Sequence, residues 1–121
     1  MIPNPSRVRF AAIFGALAVA LGAFGAHALE ELLVKNGTVE IWRTASHYHF
    51  IHVLALLVLG LIGERAGKSW TFLAAGTLVF SGSLYLLALT NIKWLGAVTP
   101  VGGLLMIIGW LLLARRFGRQ A

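Results

Sequence analysis

The charges of this chain stand in a few places only, and four long uncharged runs lie between them. Residues 10–29 and 44–63 hold 20 residues each, residues 69–92 hold 24 and residues 94–114 hold 21. A helix that crosses the hydrocarbon core needs about 20 mainly apolar residues, and in lipid only structures that satisfy their own backbone are viable. Four such runs in 121 residues leave no room for a soluble domain. The expected fold class is all-α: one integral membrane four-helix bundle over residues 1–121, with spans at about 10–29, 44–63, 69–90 and 94–114. Composition agrees, since charged residues make up 12% where soluble domains carry about 25%.

The formal net charge of +6 does not argue for nucleic acid as a partner. The cations flank apolar runs instead of forming a basic helix face or patch. There is no cysteine, which excludes disulfides, zinc–thiolate sites and thiol catalysis and leaves the redox compartment unread.

The positive charges also carry an expectation about orientation. With four spans, both termini and the connector at 64–68 share one side. That side holds Arg7, Arg9, Arg65, Lys68, Arg115, Arg116 and Arg119, seven cations against three (Lys35, Arg43 and Lys93) on the other. The positive-inside rule then puts both termini in the cytoplasm, in a bacterial inner membrane, with the lipid bilayer as the first partner. Trp42 and Trp94 fall near the outer boundary and Trp70 and Trp110 near the inner one, as in an aromatic belt. A secretory signal peptide competes for the first run, because Ala26-His27-Ala28 resembles a cleavage site. The segment is expected to remain as span 1.

Several local signals divide the chain. Met1 to Ser6, with Pro3 and Pro5, reads as an irregular tail. The helix of span 1 is expected to continue for a turn or so through Glu30 to Lys35, and Asn36-Gly37 to end it. Thr38 is a plausible N-cap for the next helix. Asn36-Gly37-Thr38 matches the glycosylation sequon but reads as a turn. Pro100 either kinks the last span or opens it after Thr99, leaving 94–98 as an interfacial stretch.

Small residues suggest where helices meet. Ala11, Gly15, Ala18, Gly22 and Gly25 lie on one face of span 1, and Ala12, Ala16, Ala23 and His27 on another. Small faces let backbones approach closely in lipid, so span 1 is expected inside the bundle. Gly15, Gly22, Gly25, Gly102, Gly103 and Gly109 are the expected packing positions, and a homo-oligomer or a membrane-protein partner is a further expectation.

The polar residues inside the runs are the functional candidates, since such groups are costly in lipid. On an ideal helix Tyr48, His49 and His52 share a face while His47 points away. His27, Tyr48, His49, His52, Ser81, Ser83, Tyr85 and Thr99, contributed by all four spans, are expected to form one polar pocket in the outer half of the bilayer. Imidazole and hydroxyl groups both donate and accept. The cluster could bind a lipid headgroup or another small polar or amphiphilic molecule, pass a proton, or simply hold helices together. No cofactor is expected. A haem or metal held by His27, His49 and His52 is a weaker alternative, as no carboxylate lies within a span. Hydrolase chemistry has neither an orienting acid nor a nucleophile elbow.

At these residues the chain resembles a family. Gly22-Ala23-Phe24-Gly25-Ala26-His27-Ala28-Leu29, Trp42-Arg43-Thr44-Ala45 with Tyr48 and His52, Phe80-Ser81-Gly82-Ser83-Leu84-Tyr85, Thr99-Pro100-x-Gly102-Gly103 and Gly109-Trp110 resemble domain of unknown function 423. The resemblance covers nearly the whole chain. It implies a small four-helix inner-membrane protein and no established activity. By resemblance His27, Tyr48, His52, Ser81, Ser83, Tyr85 and Thr99 match its motif positions, and His47 and His49 do not. The leading expectation for function is binding or passage of a small polar or amphiphilic molecule or proton. The runner-up is a structural or accessory subunit, and an enzyme is not expected.

Overall fold

A computed structural model of the chain describes residues 2–118. Met1 and Arg119, which figure in the tail and in the count of cations, lie outside the described residues. The described residues form helices and turns, and four of the helices are long and apolar enough to cross a membrane.

The first helix, α1 (Pro5–Ala26), begins inside the expected tail. The Asn4 side chain accepts from the Arg7 N–H at 3.2 Å, and Pro5 takes the first turn, where its missing N–H costs nothing. The helix then breaks at His27 (φ −124°, ψ −79°), so the continuation through Lys35 is not seen. A separate helix, α2 (Glu30–Asn36), carries Glu30 and Glu31 in its first turn and Lys35 in its last, each favourable to the helix dipole. Gly37 ends it at φ +69°.

Thr38 precedes α3 (Val39–Ile62), but its hydroxyl does not cap that helix. It donates to the Ala88 carbonyl at 2.8 Å, and the Asn36 amide donates to Ala88 and Leu89 at 3.0 and 3.3 Å. These bonds pin the α2–α3 corner to the C-terminal end of α4 (Ser69–Thr90), where carbonyls lack helical partners. Between α3 and α4 lies a 3₁₀ turn, Gly63–Ala66. After Asn91, a second 3₁₀ turn at Lys93–Ala97 leads into α5 (Thr99–Gly118). Pro100 therefore lies in the first turn of the last helix, the second of the two arrangements its position allowed.

The long helices pack in chain order: α1 on α3, α3 on α4, α4 on α5. The two outer helices cover one side each, so α4 is the most buried and α1 the least. The expected interior position of span 1 is corrected here. Its Ala11, Phe14 and Ala18 are buried against α3, whereas Ala12, Ala16 and Ala23 are uncovered. Chain-order packing gives α1 one main long neighbour, α3, with α4 touching it only near its start through Phe10 and Trp70.

Glycine sets the closest approach between α4 and α5. A Cβ on Gly76 would stand 2.7 Å from the Met106 backbone N and 2.9 Å from the Gly102 carbonyl; one on Gly102 would stand 2.8 Å from the Gly76 carbonyl. Gly109 faces Leu73 as tightly, while Gly103 has only ordinary contact with the Phe80 ring. Between α1 and α3, Gly15 meets Val53, and the space over Gly25 is filled by the Trp42 indole. Gly22 is a correction: nothing lies within 4 Å of where its Cβ would be, so it packs on no helix.

Candidate functional site

The polar side chains are not gathered into one pocket. They form separate ties, each joining helices that α3 or α4 brings together. The deepest starts from His49, 1% exposed, with its ring against the Phe14 ring at 4.2 Å between centroids. His49 Nε2 lies 3.1 Å from the Phe14 carbonyl and Nδ1 lies 2.9 Å from the Tyr85 hydroxyl. A carbonyl only accepts, so Nε2 carries the proton and Nδ1 accepts from Tyr85. One imidazole thus links α1, α3 and α4. The Tyr85 ring packs edge-on against Trp42, and its hydroxyl is 3.4 Å from Ser46 Oγ.

His52 bonds none of the Ser81, Tyr85, Thr99 or His27 side chains expected with it in one pocket. Its partner on another helix is Trp110. The indole N–H donates to His52 Nε2 at 3.0 Å, while His52 Nδ1 donates to the Tyr48 carbonyl at 2.8 Å. Indole has no lone pair to offer, so Nε2 must be the acceptor. His52 lies thirteen residues from Val39 and ten from Ile62, near the middle of α3. Trp110, expected in the inner aromatic belt, meets it there. Trp42 and Trp70 likewise donate across helices, to the Leu21 and Leu56 carbonyls, each at 3.1 Å.

The remaining candidates are placed as follows. Ser81 donates to the Ala45 carbonyl at 2.9 Å, joining α4 to α3. Ser83 and Thr99 bond each other at 2.6 Å, joining α4 to α5. Tyr48 stands at the edge, packed on Phe80 and 40% exposed. His27 is exposed at the end of α1, beside Glu30 and Glu31, and the fold does not bring it to His49 or His52.

This arrangement limits the chemistry. Both ring nitrogens of His49 and of His52 are engaged by protein atoms, which leaves neither a free lone pair for a metal or haem iron. Among the described residues no three His, Cys, Asp or Glu side chains are disposed to hold a metal ion. A proton path also stops: Phe14 O cannot pass a proton on, and neither can the Trp110 indole.

Open space borders Gly22 and Gly25, expected as packing positions, and His47, expected to point away from the polar face. Beside Gly22 a groove runs between α1 and α3. Two joined hollows of about 160 and 490 Å³ are lined by Ala18, Val19, Gly22 and Gly25 on α1 and by Arg43, Ser46, His47 and Phe50 on α3. Arg43 pairs with Glu40. The signal available in the sequence was the 3–4 spacing of Arg43, Ser46, His47 and Phe50, a second face of α3.

Four long apolar helices tied through buried polar side chains define a multi-pass membrane protein. The chain belongs to the family described as Protein of unknown function (DUF423), whose model matches residues 21–103. It is 50% identical over 109 residues to a UPF0382 membrane protein of Staphylococcus epidermidis, covering 84% of this chain and 88% of that one. It is 46% identical over 111 residues to the UPF0382 inner membrane protein YgdD of Escherichia coli K12, covering 86% and 82%. For the UPF0382 membrane protein YwdK of Bacillus subtilis the identity is 40% over 109 residues, covering 84% and 87%. By the Escherichia coli relative its place is the inner membrane. No solved structure matches the chain.

Proposed function

We propose that this protein binds an amphiphile from the bilayer in the groove between α1 and α3. The observation that carries this reading is the open space beside Gly22, the one of the three α1 glycines over which no side chain packs. The groove has an apolar wall of Ala18, Val19 and Phe50 and a polar end of Arg43, Ser46 and His47. A guanidinium, a hydroxyl and an imidazole suit an oxygen-rich headgroup, and the walls suit a hydrocarbon tail. His49, Tyr85, Ser81 and His52 then act as the frame that holds the groove, not as its ligands. Both termini are taken to face the cytoplasm, so the polar end lies toward the outer leaflet.

The test is native mass spectrometry of the protein gently extracted from its own membrane. A bound molecule present on the wild type and absent from Gly22→Leu supports the reading. The same bound molecules on both proteins sink it. A second reading, an accessory subunit or self-assembling protein, is favoured by the uncovered Ala12, Ala16 and Ala23 of α1, a face small enough for close helix contact.

A further inference from the structure

At the end of the bundle that carries both termini, a cavity of about 570 Å³ opens between the start of α4 and the last turns of α5. Lys68, Arg115 and Arg116 line it together with Ser69, Gly67 and Leu112. No carboxylate among the described residues pairs with Lys68 or Arg115. The nearby Glu64 side chain is engaged on the other side by the Asn4 amide at 3.3 Å.

Arg116 is held in place by the backbone. Its Nε donates to the Arg65 carbonyl, and its second terminal nitrogen donates to the Glu64 carbonyl at 3.1 Å. Gly67, at φ +62°, makes room for it: a Cβ there would touch the guanidinium at 3.0 Å. A charged side chain has thus been fixed across a turn by two carbonyls and a glycine, and two further cations open into the same cavity. The floor is apolar at Leu112, and the neighbouring Leu111 is uncovered toward lipid. Basic pockets between spans at headgroup level suit phosphate.

We infer that this cavity binds a phosphate group, on an anionic lipid or as a free ion, through Lys68, Arg115 and the backbone-held Arg116. The inference is independent of the α1–α3 groove, which lies at the other end of those helices. Lipid acyl chains would run along α5 beyond Leu112. The free N–H groups at the start of α4 would add to the attraction without being required for it.

The experiment uses the full chain in zwitterionic phosphatidylcholine nanodiscs. One arm adds phosphatidylglycerol and reads retained lipid by native mass spectrometry. The other adds inorganic phosphate and reads ³¹P line broadening. Lys68→Gln/Arg115→Gln removes two cations and leaves Arg116 and its turn alone. Arg9→Gln, at an exposed cation of the same end, controls for loss of positive charge outside the cavity, and thermal unfolding checks that each variant is folded.

Retention of phosphatidylglycerol that falls by roughly thirtyfold in the double variant, and not in Arg9→Gln, supports a lipid headgroup site. Phosphate broadening with the same dependence supports a site for the free ion. Binding of neither probe, or equal binding by the double variant or equal loss in Arg9→Gln, overturns the inference.

Discussion

His49 and His52, three residues apart on α3, hold opposite tautomers. His49 carries its proton on Nε2, facing the Phe14 carbonyl, and His52 carries it on Nδ1, facing the Tyr48 carbonyl. The partner on the far side decides each case: a Tyr85 hydroxyl that can donate to His49 Nδ1, and a Trp110 indole that can only donate to His52 Nε2. Selective ¹⁵N labelling of histidine should therefore give two neutral, oppositely protonated rings. The same tautomer at both positions would contradict the ties described here.

The His52–Trp110 tie should be measurable as a coupling. His52→Leu leaves the indole N–H in an apolar setting without its acceptor, which costs about 1–3 kcal/mol. Trp110→Phe should relieve that cost in the double variant. The coupling energy in an unfolding cycle is expected near the ~0.6 kcal/mol average for such bonds in membranes, with ~1.7 as an upper bound. Strict additivity would show that the bond does not form.

Gly25 and Gly22 should part company although they lie on one face. Gly25→Ala meets the Trp42 indole and is expected to destabilise by about 1–3 kcal/mol. Gly22→Ala meets nothing and should leave thermal unfolding unchanged or slightly improved, since alanine favours helix by about 1 kcal/mol. Equal losses at both positions would mean that the groove beside Gly22 is closed.

Among the glycines of the α4–α5 seam, Gly76→Ala and Gly102→Ala should be the most damaging, because each Cβ meets backbone atoms that no rotamer change can move. Gly103→Ala, facing the Phe80 ring at 3.7 Å, serves as the tolerated control. Thermal unfolding in detergent reads the difference directly.

The absence of native cysteine makes self-association easy to test. If α1 pairs with a copy of itself through its uncovered small face, Ala16→Cys should form an intermolecular disulfide in membranes while Ile13→Cys, exposed on an adjacent face, forms much less. Equal yields would indicate random collision. A reporter fused after Ala121 that is active in the cytoplasm and silent in the periplasm is the expected result for orientation.

Much of the architecture was legible because lipid imposes a simple rule: uncharged length signals a crossing helix. Asn36-Gly37 marked a helix end because only a residue tolerant of positive φ fits there. Thr38 marked the start of α3, although its hydroxyl bonds elsewhere, whereas the start at Pro5 was harder to read, since apolar runs do not show where a helix extends into the interface. The polar residues could be assigned to helices but not to partners. Trp110 looked like an interfacial anchor because its sequence position suits a belt, and an indole N–H that reaches a buried imidazole leaves no pattern in one chain. Gly22 and Gly25 share a face, and only the placement of Trp42 separates a filled gap from an open one.

Chain-order packing has a consequence for how the protein is made. Each long helix after the first packs on the one synthesised just before it, so the bundle can assemble step by step as the chain emerges. When α3 inserts, the Phe14 carbonyl already waits for His49. When α4 follows, Ser81 and Tyr85 find Ala45 and His49 in place. His52 and Ser83 wait longer, and of the two only Ser83 has a carbonyl of its own helix, Phe80, to turn to meanwhile. The His52 Nε2 lone pair stays without its native partner until Trp110 arrives on α5, the last of the four long helices described. That imidazole marks closure of the four-helix bundle: a chain stalled or truncated before α5 carries an unmet acceptor inside α3, and meeting it is what the last of these helices contributes to the one laid down two helices earlier.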